Sequence, residues 1–196
     1  MVRKKTLVLI VVLFLITGCS KTLTSDPHYN NEQTPKAGQA AFPKLGQYWV
    51  IDNEGKFSHE TIVWAHKILE KLRTDKIAEV VIICQSGVKD NGPMDDEKIW
   101  LIHWARWAKI GDVKDRRGLV WLIRPDVKPE QNRITVEVSS WLTWYTAIDY
   151  GPTLEEAGKY ANFNNYDGCL ESIVRGVDVT LRKLWKDQNL DKEINK

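Results

Sequence analysis

Nine residues, "RPDVKPEQN", separate Ile123 from "RITVEV", and they limit the fold more than any other stretch of the chain. The segment holds two prolines and has no helical period. A parallel crossover needs a dozen or more residues, usually a helix, so the strands on either side are expected to pair antiparallel. Those strands are "LVWLI" (119–123) and "RITVEV" (133–138). In the second, Ile134, Val136 and Val138 point one way, while Arg133, Thr135 and Glu137 point the other. That alternation predicts one buried face and one wet or pocket-lining face.

The rest of the chain supplies helices and two further strands. "AEVVIIC" (78–84) is apolar, β-branched and too short for a helix, so it reads as a buried strand. A short first strand is expected at "YWVI". Ser58 is the expected N-cap of an amphipathic helix that turns Ile62, Ala65, Leu69 and Leu72 inward. In "KIWLIHWARWA", Trp100, Trp104 and Trp107 recur at i, i+4 and i+7, which places them on a core face. Two helices follow Trp144. Thr153 with Glu156 forms the expected capping box of the first. Asp167 is the expected cap of the second, whose stripe is Leu170, Ile173, Val174, Val177, Leu181 and Leu184. The order β-α-β-α-β-β-α-α gives a single α/β domain with a mixed sheet of about four strands flanked by helices.

Both ends lie outside that domain. Arg3, Lys4 and Lys5 precede the apolar run "TLVLIVVLFLI" and then "ITGC". The run is short for a membrane span, which needs about 20 residues, so residues 1–18 read as a cleaved signal. The pattern resembles the lipobox of bacterial lipoproteins, which implies that Cys19 is acylated, with palmitate-like chains, and anchors the protein in the cell envelope. Ser20 resembles the sorting signal for the outer membrane, facing the periplasm, in Gram-negative bacteria. An ordinary secretory cut near Gly18 is the other reading. Residues 19–42 are polar and without an apolar period, so they read as a tether. The domain is expected over 43–187 and a flexible tail over 188–196. Loss of the three signal cations takes the formal charge from +2 to −1. With no basic aromatic stripe downstream, nucleic acid is not an expected partner. Cys84 and Cys169 remain, and an export route permits a disulfide between them; two buried free thiols are the alternative. There is no CxxC or HExxH, so zinc is not expected.

"VIDNEGKFS", "AEVVIIC", "WAKIG", "GLVWLI" and "ITVEV", in that order, resemble the TPM domain shared by thylakoid lumen proteins, photosystem-repair factors and bacterial membrane-anchored proteins. Val50, Asp52, Gly55 and Ser58 match its first motif; Trp107, Ile110 and Gly111 match its second. Gly118 to Leu122 fit the third, with Arg116 and Arg117 in place of asparagines. Of the fourth, Glu137 and Leu142 are kept. Asn132 stands for its arginine, Ser139 and Trp141 for its glycines, Ser140 for its tyrosine and Thr143 for its last glutamate.

The resemblance implies a membrane-anchored, extracytoplasmic binding, assembly or repair factor for membrane-associated complexes, with a protein partner in the envelope. The alternative it implies is a metal-assisted phosphomonoester hydrolase. A divalent cation such as Ca²⁺ needs several converging oxygens; Asp52, Asp112, Asp115 and Glu137 are the candidate ligands for a metal or phosphate site. Arg116 and Arg117 are candidate anion-facing residues. Asp52 also reads as a turn carboxylate bonding its own backbone, and Glu137 as a solvated strand residue. Trp141 and Trp144, after the last strand, are the candidate partner surface.

Overall fold

The computed structural model describes residues 35, 38–89, 96–111, 117–129, 131–140 and 142–188. Its elements are β1 (Val50–Asp52), α1 (His59–Thr74), β2 (Glu79–Cys84), α2 (Asp96–Trp107), β3 (Gly118–Ile123), β4 (Ile134–Val138), α3 (Ala147–Asn162) and α4 (Tyr166–Asp187). The strands lie in one sheet in the order β1-β2-β3-β4. β1, β2 and β3 are parallel, and β4 runs antiparallel to β3, with Ile134 beside Ile123 and Val138 beside Leu119. The proline-bearing connection therefore joins an antiparallel pair, as its length demands.

Both faces of the sheet are buried, which is why β2 and β3 read as unbroken apolar runs. Val50, Val80, Ile82, Cys84, Trp121 and Ile123 face a core completed by α1, α3 and α4. Ile51, Val81, Ile83, Val120 and Leu122 face Trp100, Leu101 and Trp104 of α2. The face of β4 expected to be wet or pocket-lining is largely covered. On the α2 side Thr135 is 8% exposed and Glu137 half-buried, while Arg133, also 8% exposed, reaches Ala161 O and Asn164 Oδ1 at the end of α3.

Helix ends differ from expectation in two places. α3 starts seven residues earlier than the Thr153–Glu156 box: its cap is Thr146, whose N–H donates to Asp149 Oδ2 at 2.7 Å. Pro152 lies inside the helix, so the Thr153–Glu156 pair that fits a capping box by spacing falls in a turn already formed. Thr153 is instead buried in mid-helix. α4 is capped by Asn165, which accepts from Gly168 N at 3.0 Å. Asp167 accepts from Ser58 N at 2.8 Å and so ties the start of α4 to the start of α1.

The domain also begins earlier than residue 43. The indole N–H of Trp100 donates to Ala40 O at 2.9 Å and that of Trp104 to Pro43 O at 2.8 Å. Phe42 packs edge-on against Trp100, with ring centroids 5.4 Å apart. Buried indoles need acceptors, and residues 40–43 supply them as a strap over α2. Cys84 and Cys169 are free and buried in the larger core. Burial raises both thiols above their ordinary range, Cys169 to about 12.

Candidate functional site

The first motif of the resemblance builds the turn from β1 into α1. Asp52 Oδ2 accepts from Phe57 N at 2.8 Å, and Oδ1 accepts from Glu54 N at 3.2 Å. Gly55 has φ +61°, the left-handed conformation that glycine adopts without strain. Ser58 then caps α1 by accepting from Thr61 N at 3.2 Å. Asp52, Gly55 and Ser58 thus form one structural device, and both Asp52 oxygens are engaged by backbone donors.

Glu137 lies elsewhere. Asp52 pairs with Cys84, and Cys84 with Ile123; Glu137 pairs with Val120. The two carboxylates are therefore on opposite edge strands, three inter-strand spacings or about 14 Å apart in that direction alone. They also lie on opposite faces, since Cys84 and Ile123 belong to the three-helix side and Val120 to the α2 side. They cannot share a cation. Burial raises the Glu137 carboxyl above its ordinary pKa, while Lys98 and Arg106 pull it the other way. It is a desolvated carboxylate beneath α2 rather than a wet strand residue.

Asp112, Asp115, Arg116 and Trp141 lie outside the described residues, as do Cys19, the signal and most of the tether. Among the described residues, no three His, Cys, Asp or Glu side chains come together to hold a metal ion. Arg117 sits before β3, with its guanidinium 4.6 Å from the Trp185 ring centroid. Trp144 is half-buried against the large core and stacks obliquely on Trp185 at 6.1 Å. These two contacts make Arg117 and Trp144 parts of one aromatic corner at the end of α4.

The exposed apolar surface lies on the C-terminal helix pair, which composition alone did not single out. Ile148 (87% exposed), Phe163 (85%), Val179 (67%) and Tyr160 (37%) are the large hydrophobic side chains left in solvent among the described residues. Gly176 packs on Thr153 and Gly168 on Tyr160, so α3 and α4 run antiparallel in close contact. That alignment puts Ile148 and Val179 at one end of the pair and Tyr160 and Phe163 at the other, about 18 Å away along the helix. Between them runs a shallow groove of about 420 Å³, lined by Pro152, Thr153, Glu156 and Arg175 among others. Helical recurrence of 148, 152, 156, 160 and 163 was the available signal, hidden by the glycine, proline and acids in the stretch.

No family model and no curated protein matches this chain. Among solved structures, the N-terminal domain of a protein from P. gingivalis is similar, with a TM-score of 0.57 at 18% identity over 78% of this chain and 91% of that one. The N-terminal domain of the cg2496 protein from Corynebacterium glutamicum has a TM-score of 0.49 at 14% identity, over 75% of this chain and 88% of that one. The first likeness extends to the fold alone.

Proposed function

We propose that the chain is a lipid-anchored, extracytoplasmic module of the TPM kind that binds and assembles or repairs a membrane-associated complex, with Cys19 as its anchor and the α3–α4 surface as its contact. The observation that carries the binding role is that Ile148, Tyr160, Phe163 and Val179, the large apolar side chains left exposed among the described residues, all lie on one helix pair, in two groups at the ends of a shallow groove. Exposed large apolar groups gathered on one face rather than scattered singly over the surface mark contact surfaces. Asp52, spent on its own turn and far from Glu137, lends no comparable support to hydrolysis. Among the described residues no helix is long and apolar enough to cross a membrane, so attachment in this reading rests on the acylated cysteine.

The test is chemical cross-linking of the full chain in its own membrane, with proteins recovered by the wild type and by Ile148→Ser/Phe163→Ser compared by quantitative mass spectrometry. A contact surface predicts that recovery of the same complex falls roughly tenfold or more, the scale of losing an apolar hot spot. Equal recovery overturns this reading. Metal-dependent turnover of p-nitrophenyl phosphate that disappears in Glu137→Gln would install the hydrolase reading in its place.

A further inference from the structure

β4 is an edge strand with an open outer side. The bonds from Arg124 N to Arg133 O (2.8 Å) and from Ser139 N to Gly118 O (2.9 Å) show that the odd-numbered residues face β3. By the alternation of an antiparallel ladder, the N–H and C=O groups of Ile134, Val136 and Val138 point away from it; of these the Ile134 N–H makes a long bond of 3.4 Å to Asn132 Oδ1, which pairing would displace. Among the described residues, no strand lies beyond β4. Open edges are commonly guarded by charges, proline or a bulge; "ITVEV" has no lysine or proline, pairs without a bulge, and carries one charge, Glu137. One side chain on the α2 side of the strand lacks a partner, and a carboxylate lies near it. The Thr135 hydroxyl is buried with no hydrogen-bond partner among the described residues, and Glu137 is half-buried two residues along.

We propose that β4 pairs with β4 of a second copy of this chain, antiparallel about a twofold axis through Val136. That register uses the strand over its whole length. Ile134 meets the partner's Val138, and Thr135 meets the partner's Glu137. The contact is isologous, so each favourable pair occurs twice. Residues directly opposite on one face have Cβ atoms about 5 Å apart. The Thr135 hydroxyl therefore donates to the carboxylate of the partner's Glu137, which gives it the acceptor it lacks within one chain. Glu137 is never set against itself. A shift by two residues would shorten the ladder and need Arg133, whose guanidinium is already committed to Ala161 O at 2.6 Å. A foreign strand could satisfy the backbone equally well, but a second copy brings the hydroxyl and the carboxylate by symmetry.

Sedimentation equilibrium of the full chain in density-matched detergent tests this, because the micelle then adds nothing to the buoyant mass. The wild type is expected at twice the mass of one chain. Val136→Pro removes an outward N–H without touching the β3 ladder and should give the single-chain mass with an unchanged circular dichroism spectrum. Glu137→Lys should weaken association roughly tenfold or more by removing both acceptors. Glu137→Gln, whose amide oxygen still accepts, should stay at the double mass. If Val136→Pro loses its folded spectrum, Glu137→Lys decides. A wild type that remains a single chain overturns the proposal and leaves the edge to a strand of another protein. So does a dimer that survives Glu137→Lys.

Discussion

Three helices cover one face of the sheet, and one helix covers the other. The three-helix side is almost wholly apolar: Trp121, Leu69, Leu72, Ile173, Val177 and Leu181 are each fully buried there. The α2 side is thinner and more polar. Glu97 and His103 of α2 and Thr135 of β4 are all buried on it, and Glu97 Oε1 stands 3.7 Å from Arg124 Nη2. Arg124, 2% exposed, also donates to Val88 O at 3.4 Å and to Asn132 O. Removing one partner of a buried ion pair costs more than the pair gains, and pairs of this kind are weak evidence for stability. The first face is thus held by volume and the second by partners, including the strap whose carbonyls receive two indoles.

The largest expected effects test that contrast directly. Trp121→Ala and Trp104→Ala delete the same volume from fully buried sites on opposite faces. Trp121→Ala should cost about 3–5 kcal/mol in urea unfolding, spread over the whole domain. Trp104→Ala also strands the Pro43 carbonyl, and its effect should be local. Hydrogen exchange should quicken in α2 and in residues 40–43 while α4 keeps the protection of global unfolding. Uniform loss in both variants would mean the faces are one cooperative unit.

A smaller effect is expected within the three-helix side. A Cβ at Gly176 would lie 2.2 Å from Thr153 Oγ1 and 2.7 Å from its Cγ2. Alanine in mid-helix normally gains up to about 1 kcal/mol over glycine, but this overlap must part α3 from α4, and overpacking costs about 1–3 kcal/mol. Gly176→Ala should therefore destabilise on balance. Adding Thr153→Ala, which removes Oγ1 and Cγ2, should return most of the loss in a double-mutant cycle.

The same contrast separates what could be read from the sequence. Elements governed by local pattern were legible: the apolar runs of β2 and β3, the stripe of α4, the Ser58 cap and the antiparallel β3–β4 pair. Alternation in β4 correctly separated its two sets of side chains but could not say that α2 covers Thr135 and Glu137 or that Arg133 reaches the end of α3, because those contacts are non-local. Asp52 and Glu137 fell together only while the order of strands was unknown; at opposite edges they do not meet. Of the two readings of Asp52, the turn is the one with hydrogen bonds. Trp144 follows a strand in an irregular segment, but its stacking partner Trp185 is some forty residues on and not deducible from spacing.

The smallest expected effects differ in sign between the faces. Asp75, at the end of α1, is held below its ordinary pKa of 3.8 chiefly by the hydrogen bond from Arg182, at 2.6 Å, with burial opposing. Its contribution is present above 3.8 and is lost as pH falls through the lower folded value. Glu137, beneath α2, is held above 4.5 by burial. The folded chain keeps that proton to higher pH than the unfolded one, so stability is greatest below 4.5 and declines as pH rises through the folded value. Asp75→Asn should remove a loss seen on acidification, within the 0.2–1 kcal/mol or so of partly exposed pairs. Glu137→Gln should remove a decline seen on neutralisation and raise the melting temperature at pH 7 by no more than roughly 2 °C. Melting curves from pH 3 to 7 of the two variants should therefore meet the wild type at the acid end and part from it toward pH 7, Asp75→Asn falling below it and Glu137→Gln rising above it. Departure in the same direction would show that the α2 side does not desolvate Glu137, and the contrast between a face held by volume and a face held by partners would lose its electrostatic half.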